Sequence, residues 1–229
     1  MRVFAIGDLH LSSRGKTMDI FGPQWRNHEE RLFENWSRTV RPDDTVLVAG
    51  DLSWALKLDQ AIVDLERLGK LPGTKILVRG NHDYWWSSRA KVNAVLPQGM
   101  IAINASAWTR DRLSVVGTRG WNIPGAARFD DRDERIYLRE VNRLRIALEQ
   151  APQREDRKLV AVLHYPPLTR AVLSSGFTEL LETFQVAACV YAHLHGDDQK
   201  IAFQGTRNGV TYIFAACDYL DFQPVELEL

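Results

Sequence analysis

Short apolar runs alternate with amphipathic stretches along most of this chain. Arg2–Ile6, Thr45–Ala49, Lys75–Val78, Lys158–Leu163 and Ala188–Tyr191 are rich in Val, Ile, Leu and Ala, with little of the alternation that a solvated face imposes. That pattern belongs to strands buried on both sides. Asn27–Thr39 instead brings Leu32, Phe33 and Trp36 round at helical spacing. Asp59–Leu68, Ser88–Leu96, Asp130–Gln150 and Phe177–Phe184 also read as helices. Pro42-Asp43-Asp44, Leu71-Pro72-Gly73, Pro97 and Gly99 punctuate them. Ile101–Gly117 reads as hairpin strands, residues 117–121 ("GTRGW") as a loop, and Lys200–Ala216 as a closing hairpin. Strand–helix alternation implies right-handed crossovers and parallel strands, and the later hairpins imply a mixed second sheet packed on the first. Without repeats, low-complexity tracts or long linkers, residues 1–229 read as a single domain.

The polar residues that end the apolar runs carry the chemistry. Asp8 and His10 follow the first run, Asp51 the second, Asn81 and His82 the third, His164 the fourth, and His193 and His195 the fifth. In parallel α/β sheets, ligands collect beyond the carboxyl ends of strands. Core packing does not call for carboxylates and imidazoles at five such ends, whereas a metal site at one sheet edge does. The donors are oxygen and imidazole nitrogen without thiolate. They suit Mn, Fe, Zn or Co and argue against a structural cysteine–zinc site.

Composition narrows the setting. Lys+Arg and Asp+Glu both total 29, so no basic excess points to nucleic acid. Nothing approaches the roughly 20 apolar residues of a membrane span. The apolar run near Met1 is too short for a signal peptide. Cys189 and Cys217 lie in apolar strand-like contexts and read as buried free thiols, which points to the cytoplasm.

In order, Asp-x-His, Gly-Asp, Gly-Asn-His-Asp, a lone His and His-x-His resemble the calcineurin-like metallophosphoesterases, with blocks spread over residues 7–196. "MDIFGPQW", "GDLSWAL", "RGNHDYWWSS", "GTRGW" and "SGFTELLE" are similar to a bacterial branch of predicted phosphohydrolases in that superfamily. The resemblance implies an α/β fold, a four-layer α/β/β/α sandwich with two mixed sheets flanked by helices. It implies two transition-metal ions about 3.5 Å apart, with a bridging hydroxide that attacks phosphorus. Asp8, His10 and His195 would hold one ion, Asn81, His164 and His193 the other, and Asp51 would bridge them. His82 would protonate the leaving group rather than bind metal.

The implied reaction is hydrolysis of a phosphomonoester or phosphodiester, on a phosphorylated small molecule or phosphoprotein. A nuclease, a cyclic-nucleotide phosphodiesterase and a non-catalytic scaffold on the same fold are the alternatives. Two positions depart from the family pattern. Trp54 stands where many members carry an aspartate that orients the catalytic histidine, and Ala192 replaces the glycine before His-x-His.

Around these motifs, Tyr84, Arg119 and Trp121 are candidate substrate contacts, with Arg128 nearby. Arg119 either meets phosphate through its guanidinium or sits in a surface ion pair. His28 reads as structural, Asp83 as a supporting or capping residue, and two of Tyr84, Trp85 and Trp86 as packing beneath the site. The charged run Arg128–Arg143 reads as a solvated helix face.

Overall fold

A computed structural model describes residues 1–127, 129–152 and 156–229; Arg128 lies outside them. In the first half, β1 (Val3–Ile6), α1 (His28–Thr39), β2 (Thr45–Val48), α2 (Leu58–Gly69), β3 (Thr74–Leu77), α3 (Arg89–Asn93) and β4 (Met100–Ala102) alternate as the hydrophobic pattern implies. The second half contains β5 (Ser106–Arg110), β6 (Leu113–Thr118), α4 (Asp131–Gln150), β7 (Lys158–Leu163), α5 (Gly176–Thr183), β8 (Ala188–Tyr191), β9 (Gly205–Arg207), β10 (Val210–Phe214) and β11 (Val225–Glu226).

The strands form two mixed sheets flanked by helices, ordered β11-β1-β2-β3-β4 and β5-β6-β7-β8-β10-β9. β1 to β4 run parallel, as do β6, β7, β8 and β10, and antiparallel strands close every edge except that of β4. Successive side chains of a strand point to opposite faces, and the first sheet divides its residues accordingly. Val3, Ala5, Leu47, Ala49, Ile76 and Val78 join the core shared with the second sheet. Phe4, Ile6, Val46, Val48 and Leu77 join the core beneath α1 and α2, with Leu32, Trp36 and Leu65. Both faces are dry, which explains the unbroken apolar runs.

Helix ends are fixed locally. Asp130 accepts from the backbone N–H of Asp133 while the Asp133 carboxylate reaches back to the N–H of Asp130, a capping box that starts α4. Ser175 and Thr178 do the same for α5.

Two assignments change, and one strand was not foreseen. Residues 101–117 are not one hairpin: β4 completes the first sheet, Ala105 turns at φ 50°, and only β5 and β6 pair as a hairpin, in the second sheet. A short apolar run looks the same in either sheet. The closing hairpin shrinks to β9–β10 around Asn208 and Gly209, at φ 47° and 82°, the left-handed pair of a tight two-residue turn. β11, only two residues long, has too few positions to show a pattern. Among the described residues, no helix is long and apolar enough to cross a membrane.

Candidate metal centre

The carboxyl ends of β1, β2 and β3 in one sheet, and of β7 and β8 in the other, meet at a common edge. The chain leaves these strands in strained conformations. Asp8, His10, Asp51 and His193 have φ of 58°, 46°, 51° and 78°, a left-handed region that side chains other than glycine seldom enter. Such residues cost about 1–3 kcal/mol each and persist where the surroundings over-determine them, typically at functional sites. Glycine makes room beside them: a Cβ on Gly80 would stand 2.0 Å from Asp51 Oδ1, and one on Gly50 would stand 2.7 Å from His164 Nδ1.

Each central carboxylate spends one oxygen on a backbone donor. Asp8 Oδ2 accepts from the His193 N–H at 2.9 Å, and Asp51 Oδ1 from the His82 N–H at 2.7 Å. The other oxygens face the imidazoles. Asp51 Oδ2 lies 3.8 Å from His10 Nε2 and 3.5 Å from His164 Nε2, between the two halves of the cluster. Asp8 Oδ1 is 3.7 Å from His195 Nε2 and, although buried, has no hydrogen-bond partner among the described residues. Donor atoms of Asp8, His10 and His195 lie within 4.8 Å of one another, as do those of Asp8, Asp51 and His164, so Asp8 belongs to both groups.

Asn81 and His193 join through His164. His164 Nδ1 lies 2.8 Å from the Ala49 carbonyl, a contact that only an N–H can make favourably. Neutral His164 then turns a bare lone pair at Nε2 toward Asn81 Oδ1 (2.7 Å) and His193 Nδ1 (3.2 Å). Acceptors gathered this closely, with a buried unpartnered carboxylate oxygen beside them, fit a shared cation.

The electrostatics agree. Burial holds His10 and His164 below the ordinary imidazole value and takes His193 down to about 3, helped by His164, so all three favour the neutral form that ligates metal. Burial raises Asp51 well above the usual carboxylate range, reinforced by Asp8. Burial opposes ionisation of Asp8 as well, but His195, His164 and His10 outweigh it and hold it low. His195 is the exception among the imidazoles. Burial disfavours its cation, yet Asp8 and Asp218 raise it to about 10, so its proton supplies positive charge that a metal could replace.

His82 lies outside this donor set. Its ring packs 4.7 Å from Trp54 and 6.1 Å from Tyr84, and its buried Nδ1 has no hydrogen bond among the described residues. Trp54, at the position of the missing orienting aspartate, stacks on His10 at 4.8 Å and 19° and so touches both histidines. Ala192 is accommodated because its neighbour is Gly7, where a Cβ would stand 2.6 Å from that of Ala192.

Asp83 is buried and ties the loops after β2 and β3 together. It accepts from the N–H groups of Gly80, Leu52 and Ser53 and from Trp85 Nε1. Trp85 and Trp86 pack in the core, while Tyr84 is 58% exposed. His28 is buried, with Nε2 3.4 Å from the His10 carbonyl. The Arg119 guanidinium lies 4.3 Å from the Trp121 ring and 3.8 Å from Glu140, and Trp121 Nε1 donates to Asp133 at 2.7 Å. Glu140 is fully buried, so the charged face of α4 is not wholly solvated.

Sequence reasoning missed Asp218, which contacts His195 Nδ1 at 2.9 Å. The signal was present, since Asp218 follows the apolar end of β10 just as Asp8 follows that of β1. A cleft of about 240 Å³ also went unforeseen. It opens beside His10, His82 and His195 and is walled by Met18, Phe21, Trp25 and Trp54.

The calcineurin-like phosphoesterase family model matches residues 1–197, most of the chain, and the chain belongs to that family. Metal-dependent phosphoester hydrolysis is the general chemistry this membership supports. The chain is also similar to the crystal structure of the protein of unknown function AQ665 from Aquifex aeolicus. The two are 17% identical with a TM-score of 0.56, over 98% of this chain and 95% of that one. No curated protein matches the chain.

Proposed function

We propose that this chain is a two-metal phosphoesterase acting on a phosphorylated small molecule or phosphoprotein. The carrying observation is the pair of buried carboxylates, each with one oxygen on a backbone N–H and the other turned toward imidazoles. Asp8, His10 and His195 would hold one ion and Asn81, His164 and His193 the other, and Asp51 would serve both. When bound, Mn, Fe, Zn or Co supplies Lewis acidity that acidifies water and neutralises phosphoryl oxygens.

The remaining steps fall to the chain. Water oxygen bonds to phosphorus as the bond to the leaving oxygen breaks, and one water proton passes to solvent. His82 lines the cleft and gives its proton to the leaving oxygen. Trp54 holds the His82 ring by packing in place of a carboxylate. Tyr84, Arg119 and Trp121 form the outer contacts for substrate. Buried free Cys189 and Cys217 support a cytoplasmic setting.

The test is turnover of p-nitrophenyl phosphate and bis(p-nitrophenyl) phosphate with manganese. Hydrolysis that disappears on chelation, returns with metal and is absent in Asp51→Asn supports the enzyme. A metal-free protein inert on both esters that still binds a partner would instead identify a scaffold.

A further inference from the structure

The cleft beside His82 has an unusual wall. Among its lining side chains, Phe21, Trp25 and Trp54 are aromatic, and His10, His82 and His195 present imidazoles. The Phe21 and Trp54 rings are parallel to within 14°, with centroids 6.5 Å apart. Trp25 is nearly inaccessible and closes the floor, edge-on to His195 at 5.5 Å. Phe21 is the opposite case. It is 55% exposed on a single turn, Asp19–Phe21, beside Ile20 at 72%. Large apolar side chains left in water at a cleft mouth mark a place where something apolar is met.

Trp54 is held before any ligand arrives. His10 stacks on it and its Nε1 donates to Met18 Sδ at 3.2 Å, while the exposed Lys16 ammonium rests 3.1 Å from its ring centroid and swings aside when a ring enters. A rigid indole parallel to an exposed phenyl rewards flat π-systems, which gain stacking beyond the area they bury. A saturated group of equal bulk gains only the area.

Resting on the phosphoesterase reading, we propose that this cleft receives a planar aromatic ring on the leaving-group side of the ester. The substrates are then phosphoesters of ring-bearing alcohols, such as nucleosides or benzylic alcohols. The position follows from His82, which lines the same cleft and serves the leaving oxygen. A volume of about 240 Å³ suits one ring system rather than a long chain.

The experiment separates the ring from leaving-group acidity. Benzyl phosphate and cyclohexylmethyl phosphate, and their methyl diesters, carry alcohols of similar acidity and bulk that differ in flatness. With manganese-loaded protein, kcat/KM is expected to favour benzyl by about tenfold, within the range one stacked ring contributes. The ratio falls toward one in Phe21→Leu and in Trp54→Leu, and part of it persists in Trp54→Phe. Because the readout is a ratio, a general loss of activity in a variant does not imitate the effect.

Binding of benzylphosphonate and cyclohexylmethylphosphonate, followed by calorimetry, supplies a second readout without turnover. Turnover with equal ratios and equal affinities overturns the ring proposal and leaves the phosphoesterase standing. No turnover on any ester, with benzylphosphonate preferred, overturns the phosphoesterase and keeps the ring cleft. Neither turnover nor preference overturns both.

Discussion

Replacing Gly80 by alanine removes no ligand, charge or hydrogen bond, yet it strikes the centre of the site. The new Cβ would stand 2.0 Å from Asp51 Oδ1 and 2.2 Å from the Asp51 backbone nitrogen. Real Cβ contacts essentially never fall under 3.0 Å, so Asp51 must retreat by about 1 Å. Neither atom is the free end of a flexible side chain: the nitrogen is backbone, and Oδ1 is pinned by the His82 N–H at 2.7 Å. Overpacking of this kind costs roughly 1–3 kcal/mol of stability. A 1 Å misplacement in a catalytic constellation costs on the order of a hundredfold in rate.

Gly80→Ala is therefore expected to fold with a modestly lower Tm, to bind manganese more weakly by calorimetry, and to hydrolyse p-nitrophenyl phosphate about a hundredfold more slowly. Circular dichroism melts and metal analysis on the same preparations separate misfolding from a displaced ligand. A variant that carries a full complement of metal and works within threefold of the parent would refute the view that Asp51 must sit where it does.

Three further expectations follow. Asp218→Asn keeps the shape beside His195 but removes the charge, and should weaken manganese binding about tenfold with Tm nearly unchanged; affinity equal to the parent would count against a supporting role for Asp218. His82→Ala should slow alkyl phosphates by about 10²–10⁴-fold but p-nitrophenyl phosphate far less, because only a poor leaving group needs the proton; equal losses would remove His82 as the acid. Away from the site, burial opposes ionisation of Asp44, but its hydrogen bonds from Arg2 and Arg41 outweigh that and hold its pKa below the ordinary value. A depressed carboxylate stabilises the fold above the ordinary range and loses that contribution as pH falls through its folded value. Asp44→Asn should cost about 2 kcal/mol at pH 7, with the gap to the parent closing in acid; a gap constant with pH would contradict the linkage.

Much of this molecule was legible because its physics is local. Val3–Ile6 or Thr45–Val48 cannot be so apolar unless both faces are covered, and a polar Asp8 or Asp51 at the end of such a run stands out. What escaped depends on tertiary placement. Trp54 is a single aromatic in "GDLSW", and nothing local tells that it lies against both His10 and His82. Glu140 reads as one more charge on α4, although it is wholly buried beside Arg119 and Arg143. The left-handed backbone at Asp8, His10, Asp51 and His193 has no sequence signature either, since it is imposed by the packing of two sheet edges. The passage of the chain from β4 to β5 was hidden for a related reason, as hydrophobic runs do not say which sheet they join.

Anomalous scattering from crystals grown with manganese goes straight to the heart of the matter. Two peaks about 3.5 Å apart are expected, one contacted by Asp8, His10 and His195, the other by Asn81, His164 and His193, with Asp51 touching both. A single peak, or manganese bound away from these side chains, would contradict a two-metal centre at this sheet edge.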